Sequence, residues 1–109
     1  MVLRRTIVFK LVIFIHFFLF AENVLSQPNA DFSATPVVGC APLLVQFTDL
    51  STGNPTSWKW DLGNGTTSTV QNPSVAYFTS GQFSIKLIAI NSSGSDTIIK
   101  NQFIKFIRA

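Results

Sequence analysis

The chain has 109 residues, 47% hydrophobic and only 12% charged, which describes one small domain and excludes a disordered tail or a charged coiled coil. The formal net charge is +3, but Arg4, Arg5 and Lys10 against Glu22 place most of that excess in the first 26 residues. From residue 27 onward, Lys59, Lys86, Lys100, Lys105 and Arg108 nearly balance Asp31, Asp49, Asp61 and Asp96, too sparse a positive face for nucleic acid.

The first element is a leader. Arg4 and Arg5 precede an apolar run, Leu11–Ala21, broken only by His16, and then Glu22-Asn23 and Val24-Leu25-Ser26. A basic start, an apolar centre and a small residue at the cut are the layout of a secretory signal peptide. The expected cut follows Ser26; a cut after Ala21 would leave bulky Leu19 at the inner recognition position. A permanent anchor needs ~20 apolar residues. The stretch Ile7–Ala21 is shorter, and Lys10 interrupts it. The expectation is therefore a signal peptide over residues 1–26 and one domain over residues 27–109. The product is secreted or held at the cell surface, touching membrane only through an uncleaved leader. His16 reads as a tolerated neutral ring.

All six glycines and all five prolines follow residue 26, at nearly regular intervals. Such punctuation leaves room for strands and not for long helices. Taken in order, Ala30–Ala34 forms a short strand anchored by Phe32. Leu43–Thr48 alternates, with Leu43, Val45 and Phe47 on one face. Ser57–Leu62 alternates with Trp58, Trp60 and Leu62 inward and Lys59 and Asp61 outward. Val75–Tyr77 is short. Gln82–Asn91 is longest, with Phe83, Ile85, Leu87 and Ala89 inward; its outer face becomes apolar at Ile88 and Ile90. A last strand spans about Asp96 to Ile107. Its alternation slips between Ile99 and Phe103, which predicts a bulge. Six or seven short strands predict an all-β, two-sheet sandwich. So small a domain buries about 60–65% of its unfolded surface, so its aromatic rings must carry much of the core.

The lone Cys40 cannot staple an exported domain. It reads as a small half-buried hydrophobe, with an intermolecular disulfide as the sharper alternative. Catalysis lacks parts: no histidine or glutamate follows the leader, and the four aspartates are dispersed. The chain is read as not an enzyme.

Three segments carry a resemblance: Gly39–Ser51; Trp58-Lys59-Trp60-Asp61-Leu62-Gly63-Asn64-Gly65; and Asn72-Pro73-Ser74-Val75-Ala76-Tyr77 with Gly81–Leu87, closed by Asn91 and Gly94–Thr97. Their order and spacing resemble the PKD (polycystic kidney disease repeat) domain over residues 30–107. That family's signature is Trp-Asp-Phe-Gly-Asp-Gly, then Asn-Pro, His-x-Tyr and Gly-x-Tyr-x-Val-x-Leu. Leu62, Asn64, Val75 and Phe83 depart from it. The resemblance implies an immunoglobulin-like β-sandwich of about seven strands. It also implies a non-catalytic adhesion or spacer role, here in a secreted binder or a truncated part of a larger surface protein.

The signature residues Trp60, Asp61, Gly63, Gly65, Tyr77 and Gly81 read as architecture. Trp60 fills the space between sheets, Asp61 accepts turn N–H groups, and the glycines permit positive φ. Asn64 tolerates a left-handed backbone and can bond its own turn. Tyr77 carries a hydroxyl that needs a partner once buried. No cofactor is expected, with calcium as the alternative: Asp49, Asp61 and Asn64 are oxygen donors, although no Asp-x-Asp cluster gathers them. The expected partner is an extracellular protein or polysaccharide, and the chain is expected to be a monomer. Trp58 is the candidate binding platform, although its parity favours the core. Ile88 and Ile90 are candidate contact residues with a neighbouring domain. Asn64-Gly65-Thr66 and Asn91-Ser92-Ser93 fit the glycosylation pattern. Lys100, Lys105 and Arg108 read as a solvated face guarding an edge.

Overall fold

The computed structural model describes residues 26–108; the leader expected over residues 1–26 lies, but for Ser26, outside them. Eight strands form: β1 Phe32–Thr35, β2 Val38–Ala41, β3 Leu43–Asp49, β4 Ser57–Asp61, β5 Thr67–Ser68, β6 Ser74–Tyr77, β7 Gly81–Asn91 and β8 Gly94–Arg108. They pair as a three-stranded sheet, β1-β3-β6, and a five-stranded sheet, β2-β8-β7-β4-β5. The expected all-β sandwich is what the chain builds. The described residues contain no helix.

Period-two patterning sets the register, because a one-residue slip would turn every apolar side chain to water. Trp60 lies opposite Leu87 and Trp58 opposite Ala89. Val45 lies opposite Val75 and Leu43 opposite Tyr77. The inward faces meet in a core of Phe32, Val45, Phe47, Trp60, Leu62, Val75, Tyr77, Ile85, Leu87, Ile104 and Phe106. Trp60 is 2% exposed. It meets Phe32 edge-on at 5.2 Å and Phe47 at 5.5 Å. Aromatic pairs at such distances add about 0.5–1.5 kcal/mol each beyond the area they bury.

Two strands were not anticipated. No strand is expected over residues Val38–Ala41, which Pro36 and Pro42 flank and Gly39 splits. In the fold they form β2, which pairs in parallel with Lys105–Arg108 of β8. The chain switches sheets through cis Thr35–Pro36 and returns through cis Ala41–Pro42. The other is β5, whose two residues pair with Trp60 and Asp61 and carry no apolar alternation to announce them.

The anticipated slip in β8 is real. Phe83 lies opposite Ile104, but Ile85 lies opposite Lys100, so β8 carries extra residues there. Gln102 adopts φ 52°, and its N–H goes to Ser84 Oγ at 3.1 Å. The bulge lets Ile98 and Lys100 on one side, and Ile104 and Phe106 on the other, all face the core.

Candidate functional site

The signature segment sits where β4 turns into β5. Asp61 Oδ1 accepts the N–H of Gly63 at 3.1 Å, and Asn64 Oδ1 accepts that of Thr66 at 3.1 Å. Leu62 N–H closes the hairpin on the Thr66 carbonyl at 3.0 Å. Gly63 and Gly65 have φ of 80° and 88°. Asn64 bonds its own turn as expected, but it does not use the left-handed backbone it could tolerate; among non-glycine residues only Asn54 and Gln102 show positive φ among the described residues.

Tyr77 locks this turn from beneath. Its buried hydroxyl donates to the Leu62 carbonyl at 2.7 Å. Its ring packs on Phe83 at 4.8 Å and Phe106 at 5.4 Å. Burial, followed by the negative charge of Asp61, pushes its ionisation far above the ordinary tyrosine value.

Asp49 ends β3, on the other sheet, and its carboxylate is occupied. Oδ2 accepts Trp58 Nε1 at 2.9 Å and Gln71 Nε2 at 3.1 Å, while Oδ1 accepts Ser51 N–H at 3.0 Å. Trp58 is half-buried, packed against the core and pinned by this bond. The three oxygen donors Asp49, Asp61 and Asn64 therefore divide between a strand-end clasp and the β4–β5 turn. No three side chains of His, Cys, Asp or Glu stand together among the described residues.

Other calls change. Cys40 is exposed on edge strand β2, not half-buried, because its side of β2 faces away from the core. Lys100 is not simply solvated. It stands opposite inward-facing Ile85, and its Nζ donates to the Phe32 carbonyl at 2.5 Å and pairs with Asp31 at 3.2 Å. The Phe32 N–H, and after it Lys100, hold the Asp31 carboxyl below the usual aspartate range. Asp96 faces the same way, and its Oδ2 accepts Ala30 N–H at 2.7 Å. An inward charge at a strand edge discourages pairing with another chain. Lys105 remains exposed. The Arg108 side chain lies outside the described residues.

The two glycosylation-type sites also differ. Asn64 is exposed. Asn91 is 6% exposed. Its Nδ2 donates to the carbonyls of Ser26 at 2.8 Å and Gly53 at 2.7 Å. Its Oδ1 accepts the N–H groups of Ser93 at 2.7 Å and Gly94 at 3.1 Å. Sequence alone did not single it out as a structural hub.

The outer face of the five-stranded sheet is a surface the fold does not consume. A shallow groove of about 590 Å³ opens there over Lys59, Asp61, Thr67, Thr69, Lys86 and Ile88. Ile99, opposite Lys86, is 56% exposed.

These features define a class, an immunoglobulin-like β-sandwich. A profile described as PKD domain matches residues 26–105, and the chain belongs to the PKD domain family. It is similar to the PKD1 domain of the Vibrio cholerae metalloprotease PrtV, at 32% identity and TM-score 0.63, covering 74% of this chain and 98% of that one. It shares its fold with the PKD1 domain of Vibrio anguillarum Epp, at 24% identity and TM-score 0.63, covering 77% and 100%. A structure described as carbohydrate-binding modules of the β-sandwich superfamily aligns at 24% identity and TM-score 0.69, covering 79% of this chain. This chain spans only 36% of that one. No curated protein matches it. PKD domains are generally non-catalytic and occur in extracellular or secreted proteins.

Proposed function

We propose that this chain is an exported, non-catalytic interaction module, with residues 1–26 as its signal peptide and residues 27–109 as its domain. It contacts an extracellular protein or polysaccharide. The observation that carries this reading is the outer face of the five-stranded sheet, where a groove of about 590 Å³ lies beside half-buried and exposed isoleucines that the core does not need. Retention on immobilised cell-wall glycans, chitin, cellulose and collagen tests it. Retention on at least one, lost in Ile99→Glu, supports the reading; uniform absence of retention removes it.

A specific observation favours a second reading, a spacer. Ser26 is held beside Asn91, whereas Ile107 pairs beside Cys40 near Gly81. Asn91 and Gly81 are opposite ends of β7, so the chain enters at one pole and leaves at the other. A spacer predicts no retention and no ligand-dependent change in melting temperature.

A further inference from the structure

The charges of the domain are unevenly placed. Asp31 pairs with Lys100, Asp96 holds Ala30 N–H, and Asp49 holds Trp58, Gln71 and Ser51. None of these three stands on the outer face of the five-stranded sheet. Asp96 lies opposite buried Ala89, and Asp31 and Asp49 belong to the three-stranded side. Among the described residues, that outer face carries Lys59, Lys86 and Lys105 against Asp61 alone.

Register gives the pattern in detail. Lys59 lies opposite Ile88, and Lys86 lies between Asp61 and Ile99. Lys59 and Lys86 are thus diagonal neighbours, about 7–8 Å apart. Ile88, Ile90 and Ile99 stand among them, and Thr67, Ser68 and Thr69 line the groove. Among the described residues the face offers no stacking platform for a sugar ring. Of the chain's two tryptophans and one tyrosine, Trp60 and Tyr77 are buried and Trp58 is tied to Asp49. Cations beside aliphatic side chains complement an extended chain in which the residues of one face, every second one, are in turn carboxylate and aliphatic.

We propose that the outer face of the five-stranded sheet docks an extended acidic segment of a partner protein, with its carboxylates on Lys59 and Lys86 and its aliphatic side chains on Ile88 and Ile99. This rests on the interaction-module reading and names the partner's chemistry.

The purified chain is titrated by NMR with capped peptides repeating Glu-Ser-Val-Ser (the Glu-Val peptide), Lys-Ser-Val-Ser (the Lys-Val peptide) and Glu-Ser-Ser-Ser (the Glu-Ser peptide), and with polygalacturonate. The Glu-Val peptide is expected to bind and shift the amides of β4 and β7. Its affinity falls as salt rises and falls about fivefold in Lys59→Glu. The Ile99→Ser variant and the Glu-Ser peptide each bind more weakly. Unchanged melting temperatures for both variants show that they are folded. No saturable binding of the Glu-Val peptide, equal binding of the Lys-Val peptide, or an unaffected Lys59→Glu variant overturns the proposal. Tighter binding of polygalacturonate at this face also overturns it, yet leaves the interaction-module reading standing.

Discussion

Lys100 Nζ stands 4.6 Å above the centre of the Phe32 ring and donates to the Phe32 carbonyl at 2.5 Å. The same ammonium is 5.0 Å from the Phe103 ring. One side chain on β8 thus closes the sandwich edge against the start of β1, where β2 does not reach. Its side chain is 28% exposed, which strengthens these contacts relative to water. Removing the ammonium leaves the part-buried Phe32 carbonyl of edge strand β1 without this donor. We expect Lys100→Met to lower the unfolding free energy by about 2 kcal/mol in urea titrations. Lys105→Met, on the solvated face, should stay within about 0.5 kcal/mol of the parent. Equal effects would show that Lys100 is merely a surface charge.

The acid side of this clamp is Asp31. Its carboxyl is held below the ordinary value, first by the Phe32 N–H and then by Lys100. A lowered folded value means that the stabilisation is present above the unfolded value and is lost as pH falls through the folded one. The Asp31 side chain is 53% exposed, so water screens the effect and the loss is small. Melting curves taken from pH 5 downward should fall less steeply in Asp31→Asn than in the parent. An identical slope would remove Asp31 from the acid response.

Tyr77 governs the alkaline side. Its hydroxyl is buried on the Leu62 carbonyl, and burial raises its ionisation above the unfolded tyrosine value of about 10. A raised folded value means that the stabilisation is complete below the unfolded value and is lost as pH rises beyond it. At pH 8, Tyr77→Phe leaves the Leu62 carbonyl unpaired and should cost about 1–2 kcal/mol. From pH 10 upward only the parent pays for tyrosinate, so the gap between the two melting curves should narrow. A constant gap would mean that the hydroxyl ionises freely in the fold.

The parts of this fold that the sequence announces are those where burial forces a strict period of two. Trp58-Lys59-Trp60-Asp61-Leu62 and Phe83–Ala89 are inward and outward as their alternation requires. The same logic found the β8 bulge, because a bulge is a phase error in that period. It missed β2, where Gly39 and two prolines break the pattern and a single parallel neighbour supplies the pairing. It missed Lys100 as a structural residue because a lysine facing inward at an edge looks, in one dimension, like any surface lysine. For the site, Asp61, Gly63, Gly65 and Tyr77 could be read as architecture, since each meets a local backbone demand. The roles of Asp49 and Asn91 could not, because their partners are distant in the chain.

Gly63 and Gly65 separate two costs that the signature combines. Both have left-handed φ, which costs an L-residue about 1 kcal/mol. At Gly65 an added Cβ meets nothing within 4 Å. At Gly63 it would stand 2.6 Å from the Ser84 carbonyl oxygen, which belongs to β7 backbone and cannot swing away. Gly65→Ala should therefore lose about 1 kcal/mol, and Gly63→Ala about 3 kcal/mol or more. Chemical denaturation reads both; similar losses would show that β7 yields to the turn.

Asn91 predicts how the domain responds to the position of its N-terminus. Its carboxamide makes four hydrogen bonds, one of them to the Ser26 carbonyl at 2.8 Å. Pro28 is buried, and Asn29 bridges to Thr52. A chain cut after Ser26 loses that acceptor, whereas one cut after Ala21 keeps it. The form starting at Gln27 should be less stable than the form starting at Glu22 by about 1 kcal/mol. Acetylating Gln27 supplies a carbonyl where Ser26 had one, and should restore most of the loss. In Asn91→Ala, which should itself cost about 2–3 kcal/mol, the three forms should become equal. Persistence of the difference in that variant would assign it to the new terminal charge and not to Asn91.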